Sequence, residues 1–368
     1  MRANQTLRRW ASPLAIFLAL LCGPIQGATK TSHVIFVMSD GVRWQDVFRG
    51  ADPALLNKES GVHNIEEIKR EFWREKAQER RAALLPFLWS EIAKNGQIYG
   101  NREKGSDAYV TNGMNFSYPG YNEILCGFPD PTIDSNDKKP NPNVSVLEWL
   151  NQKPAFAGKV AAFAAWDVFP FILNVSRSRL MVNAGYDPLT IPPLNPRIEL
   201  LNRLKIETNV LEGEPLDATT FHTALEYVRL HQPQVLYLSL GEPDEWAHAG
   251  RYDLYLHSVR RVDQYVKELW DTVQSMPEYR GITTLILAVD HGRGLAPTEW
   301  RNHGQKIPDS KYVWMAFLGP DTPGMGERSK IKPVTQSQVA ATLAKLLGED
   351  YAGATPKAGP PIADVISK

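Results

Sequence analysis

The run His33 to Met38 (HVIFVM) is apolar throughout and stops abruptly at Ser39-Asp40-Gly41. A continuous stretch rich in β-branched residues, with no polar alternation, fits a strand buried on both faces, as in a parallel sheet covered by helices. Its C-terminal end delivers a carboxylate, and that end is where open α/β sheets build their sites. Similar runs lie at 160–165, 235–240, 284–289 and 313–318, separated by segments of helical periodicity such as 224–230 and 252–273. A last amphipathic helix is predicted over 337–347, ahead of a Pro- and Gly-rich tail. This alternation predicts an α/β fold with a mostly parallel central sheet and helices on both faces.

Two stretches break the rhythm. Residues 49–110 open with a charged, mixed segment, and 129–143 are rich in Pro, Asn and Asp, so both are expected to leave the sheet and form a small cap from insertions. There is no internal repeat, and 28–368 are expected to form a single catalytic domain. At 368 residues and 43% hydrophobic content, the chain can bury a large core.

The first 27 residues read as a signal peptide. Arg2, Arg8 and Arg9 precede the apolar run Leu14 to Leu21, small residues follow at Gly23 and Gly27, and cleavage is expected near Gly27 or Ala28. The run is shorter than the roughly 20 residues that span a bilayer, so the expectation is a periplasmic or secreted protein without a membrane span in the mature chain. Leu21 is too large for the residue before a lipidated Cys22, and Trp10-Ala11 match a twin-arginine signal poorly. Beyond this segment Cys126 is the only cysteine, which excludes an internal disulfide and predicts a small buried filler. The balance of 41 basic and 41 acidic residues carries no nucleic-acid-binding signature, so a small-molecule substrate is expected.

Strand ends supply metal-type side chains: Asp40 in M-S-D-G, Asp244 with His248 in G-E-P-D-E-W-A-H, and Asp290 with His291 in V-D-H-G; His303 stands in R-N-H-G. Mixed carboxylate and imidazole suit zinc or a similar ion, whereas calcium and magnesium sites are dominated by oxygen. An Asp after a strand also serves as a helix cap, and a lone His is commonly a core residue. It is their joint placement after strands that argues for metal. In N-F-S-Y-P-G-Y-N-E-I-L-C-G-F-P, Asn115 to Pro129, Pro119 and Gly120 suit a turn and 121–126 a helix. Ser117 would then lie near a helix N-terminus, where free N–H groups and the dipole favour an anionic oxygen, unless it only caps the helix.

Together these residues resemble the alkaline phosphatase superfamily, most closely its type I phosphodiesterase and nucleotide pyrophosphatase branch, over nearly all of the mature chain. In that branch the nucleophile lies in T-F-P-N-x-x-x-I-x-T-G, and S-Y-P-G-Y-N-E-I-L-C-G, from Ser117, occupies the same frame. The resemblance implies an alkaline-phosphatase-like fold and a metal-dependent phosphoric ester hydrolase. Ser117 is the implied nucleophile, and Asn136 in I-D-S-N the implied ligand of a phosphoryl oxygen. One ion would be held by Asp40, Ser117, Asp290 and His291, and a second by Asp244, His248 and His303; zinc is expected, with manganese the alternative. Trp166, and Tyr118 beside the nucleophile, are candidate substrate contacts. Arg177 and Arg179 in N-V-S-R-S-R suit either a monoester dianion or surface ion pairs. Two departures bear on specificity: Ser replaces the usual Thr, and Gly120 the usual Asn.

A phosphate ester or diester is the expected substrate. A sulfatase is the nearest rival, but its formylglycine signature needs Arg where Tyr121 stands. A cofactor-independent phosphoglycerate mutase shares the metal set and a serine nucleophile, yet is a cytoplasmic two-domain enzyme. A non-catalytic binding protein on the same fold is the alternative from another class, against which the complete ligand set argues.

Overall fold

A computed structural model describes residues 29–366. The expected signal peptide, with Arg8, Arg9 and Cys22, lies outside the described residues. The strands are β1 (His33–Ser39), β2 (Gln97–Tyr99), β3 (Ala108–Tyr109), β4 (Val160–Ala164), β5 (Met181–Ala184), β6 (Val235–Leu240), β7 (Thr283–Ala288), β8 (Met315–Leu318), β9 (Gly326–Glu327) and β10 (Val334–Thr335). Eight form one sheet in the order β5-β4-β6-β1-β7-β8-β2-β9, and β10 pairs with β3 apart from it. From β5 to β7 every pairing is parallel, and helices cover both faces, as the alternation of runs implied. Among the described residues no helix is long and apolar enough to cross a membrane.

The sheet is mostly parallel, as expected, and its departure is β8, which runs antiparallel to β7 and β2. A parallel neighbour requires a crossover that returns the chain to the other end of the sheet. Between β7 and β8 the described chain makes only two short 3-10 turns, Glu299–Arg301 and Pro308–Lys311, so it stays at the C-terminal end and re-enters from there. That return loop carries Asp290, His291 and His303.

β1 lies at the centre, in register with β6 through Val34↔Val235 and with β7 through His33↔Thr283. Its residues Val34 to Met38 are at most 1% exposed, and each such large apolar side chain contributes about 1.5–3 kcal/mol on burial. The ends of β6, β1 and β7 are therefore side by side, and they carry Asp244, Asp40 and Asp290.

The stretch 49–110 supplies helices Ile65–Phe72 and Ala77–Leu84 and then adds β2 to the sheet. It is tied down by Asp263, on the long helix Tyr252–Ser275, whose carboxylate accepts the Phe87 and Leu88 N–H groups at 2.8 and 2.9 Å. The loop 129–143 is held by Arg177, which donates to the carbonyls of Asn141, Pro142 and Asn143 and pairs with buried Glu148 at 2.8 Å.

Candidate metal centre

Ser117 is the first residue of helix Ser117–Cys126, and Phe116 occupies the N-cap position with no side-chain cap. The turn expected at Pro119-Gly120 is absorbed into this helix. Proline is tolerated there because the N–H groups of a first turn have no intrahelical partner to lose. At Gly120 a Cβ would lie 2.4 Å from the Asp290 carbonyl oxygen, so its bare backbone lets the helix press against the strand end that carries Asp290. Ser117 is buried, and its Oγ lies 3.4 Å from Nε2 of His291.

The imidazole of His291 is surrounded by carboxylates: Nε2 lies 3.3 Å from Asp40 Oδ1 and 3.3 Å from Asp290 Oδ2. Beside this group, Asp244 and His248 share a helix face four residues apart, with His248 Nε2 3.2 Å from Asp244 Oδ2 and 2.9 Å from His303 Nε2. The His291 and His303 rings stack with centroids 3.9 Å apart. Two clusters result, Asp40/Asp290/His291 and Asp244/His248/His303, each with its ligating atoms within 4.8 Å of one another. Gly41 follows Asp40 at φ +60°, and a Cβ there would meet Asp244 Oδ1 at 2.5 Å.

The residues fit a pair of divalent cations. Asp40 Oδ1 and Asp290 Oδ2 are buried without a hydrogen-bond partner, a costly state unless a cation completes them. Burial and the nearby charge of Asp40 push the Asp290 carboxyl up. Against its burial, the charges of Asp290 and Asp40 hold the His291 imidazolium above its ordinary range. Protons in such a cluster stand where a cation would. Burial, then the charge of His291, pulls both His303 and His248 down, which leaves neutral imidazoles suited to ligation.

Asn136 lies beside Ser117, its Oδ1 accepting the N–H of the next residue, Tyr118, at 3.0 Å. Tyr118 is buried, donates to the Lys139 carbonyl at 2.6 Å and lines a cavity of about 260 Å³ with Ile133, Pro140 and Pro142. Trp166 is half-buried at the end of β4, and its neighbour Asp167 pairs with Lys138 at 2.7 Å. Arg177 is engaged as described, and Arg179 is exposed in the left-handed region at φ 54°. Neither arginine joins the metal clusters.

Four residues not proposed as site residues from the sequence shape the centre. Tyr121 donates to Asp40, and Gln336 donates to the carbonyls of Val289 and Asp290 at 2.6 and 2.7 Å. The buried Glu123 accepts the Thr111 and Asn112 N–H groups, holding the segment that leads to Ser117. Arg293 grips Asp244. Tyr121 and Glu123 lie inside the segment of Ser117 and Arg293 two residues after His291, whereas Gln336 stands away from every motif.

No protein-family model matches the chain. A 2,3-bisphosphoglycerate-independent phosphoglycerate mutase from Gracilaria tenuistipitata var. liui is 26% identical over 94 residues, which is 26% of this chain and 18% of that protein's length. Wild-type alkaline phosphatase PafA superposes with TM-score 0.59 at 11% identity, over 92% of this chain and 99% of that one. A 2-O GAG sulfatase superposes with TM-score 0.54 at 14% identity, over 92% and 75% of the two chains. The fold is thus the alkaline-phosphatase-like α/β fold.

Proposed function

We propose that this chain is a metal-dependent phosphoric ester hydrolase in which Ser117 is the nucleophile. The observation that carries the proposal is the Ser117 hydroxyl at a helix N-terminus, 3.4 Å from His291 and facing the cluster of Asp40, Asp290 and His291, with Asp244, His248 and His303 adjacent. Two divalent ions in these clusters, zinc by their mixed donor set with manganese second, would lower the pKa of a bound hydroxyl and neutralise charge on a phosphoryl group. The Ser117 Oγ gives its proton to solvent and attacks phosphorus in line. The Oγ–P bond forms as the bond to the leaving oxygen breaks. Water then displaces Ser117 from the phosphoseryl enzyme and releases phosphate or its monoester. Asn136, through its side-chain N–H, and the Ser117 N–H would receive charge on the nonbridging oxygens, the Tyr118 and Gly120 N–H groups being held by Asn136 Oδ1 and the Phe116 carbonyl. Residues 1–27 support action outside the cytoplasm.

The fold also accommodates sulfatases, as the superposition above illustrates. What supports phosphate over sulfate is Tyr121 at the position where the formylglycine signature needs Arg, its hydroxyl engaged by Asp40. Turnover of one purified, zinc-loaded sample on an aryl phosphomonoester, phosphodiester and sulfate ester tests the reading. Phosphate esters should react far faster, with diesters slightly ahead of monoesters. A sulfate rate above both overturns the class, and a dominant monoester rate overturns only the diester preference.

A further inference from the structure

We infer that Arg293 is a positioning residue for the second metal cluster: it holds Asp244 by one oxygen, so that the other faces His248. The inference rests on the two-metal reading above. Arg293 is 0% exposed, and its guanidinium makes four contacts. Nε donates to the Gly41 carbonyl at 3.0 Å and Nη1 to the Arg301 carbonyl at 2.8 Å. Nη2 donates to the Asp244 carbonyl at 3.1 Å and is ion-paired with Asp244 Oδ1. From the segment of Asp290 and His291, one side chain thus reaches the residue after Asp40, Asp244 itself, and the residue two before His303. All ligand-bearing segments except that of Ser117 converge on it.

The planar fork of an arginine suits this task, since it directs several donors at fixed angles that a lysine cannot reproduce. With Oδ1 held, Asp244 Oδ2 is the oxygen turned to His248, at 3.2 Å. Oδ1 otherwise points at the gap between the clusters, 3.7 Å from His291 Nε2 and 3.8 Å from His303 Nε2. Restraining it keeps Asp244 a one-oxygen ligand of one ion. There is no slack: a Cβ at Gly41 would lie 2.9 Å from Arg293 Nη2. Outer partners of this kind change metal affinity by about 10- to 100-fold when removed.

The test is equilibrium dialysis against buffered Zn²⁺ with elemental analysis, on wild type, Arg293→Met, Arg293→Lys and, as a reference for direct ligand loss, His248→Ala. Wild type should hold two ions. Arg293→Met should keep the first and bind the second about 10- to 100-fold more weakly, and Arg293→Lys should weaken the second in the same sense, because charge without the fork does not orient Asp244. Thermal unfolding of the metal-free proteins shows whether each variant folds; if the Met variant does not, the Lys variant carries the test. Two ions in wild type, bound equally tightly by the folded variants, overturn the role of Arg293 alone. Fewer than two ions in wild type overturn the two-metal reading and this inference with it.

Discussion

The Tyr121 hydroxyl donates to Oδ2 of Asp40 at 2.8 Å and shares a second hydrogen bond with Ser239 Oγ at 3.0 Å. Burial raises the phenol well above its ordinary value, so Tyr121 remains a donor at any working pH. One helical turn after Ser117, this contact fixes one oxygen of Asp40 and leaves the other facing His291.

Tyr121→Phe removes that donor while keeping the ring, which packs edge-on against Phe169. The buried Asp40 oxygen and Ser239 hydroxyl then lose a partner, and the expected cost is about 1–3 kcal/mol. Urea denaturation of the metal-free proteins measures it. An unchanged midpoint would show that the contact contributes nothing to folding.

Ser117→Ala should reduce turnover to near background while leaving the circular dichroism and unfolding midpoint close to wild type. The removed oxygen forms no covalent intermediate, and the cavity left by one hydroxyl is small. Wild-type rates in this variant would place the nucleophile elsewhere.

Chelation should abolish activity and lower thermal stability together. Asp40 and Asp290 are buried and Asp244, in the adjoining cluster, is partly so, and without cations their mutual repulsion and desolvation oppose folding. Elemental analysis of the purified protein should find close to two transition-type ions, and their return should raise the melting temperature, since ligands that bind the folded state stabilise it. A chelated protein with an unchanged melting temperature would contradict the account.

Lys205 yields a pH prediction away from the site. It is 0% exposed, its Nζ donates to Asn183 Oδ1 at 2.8 Å and to the Asp187 carbonyl at 3.2 Å, and burial pulls its pKa down to about 8. A folded-state pKa below the unfolded value means full stability above the unfolded pKa, lost as pH falls toward 8. At neutral pH the penalty is about 3 kcal/mol at ~1.4 kcal/mol per unit. Lys205→Met should therefore gain on wild type as pH falls from 10 to 8 and hold a constant advantage below that. Paired denaturant titrations across this range read the difference, and a pH-independent gap would show that Lys205 titrates normally.

Reading local sequence was enough to nominate the candidate site. The run His33 to Met38 fitted a strand buried on both faces, and carboxylates after three such runs would emerge at one end of a sheet if the strands were parallel. The helix was legible over 121–126, apart from the assumption that a turn at Pro119-Gly120 would delay its start. These features are local because hydrophobic periodicity and first-turn hydrogen bonding are local. Adjacency is not. That β6, β1 and β7 are neighbours, so that Asp244, Asp40 and Asp290 meet, depends on strand pairings between residues about 200 to 250 positions apart. The direction of β8 depended on whether the chain after Asp290 crossed back over the sheet, and hydropathy carries no sign of that. Arg177 and Arg293 look alike in sequence; one is spent on Glu148 and a loop, the other on Asp244. Which acceptors surround a long charged side chain is decided only when distant segments pack, because a buried guanidinium must find its partners wherever the tertiary fold places them.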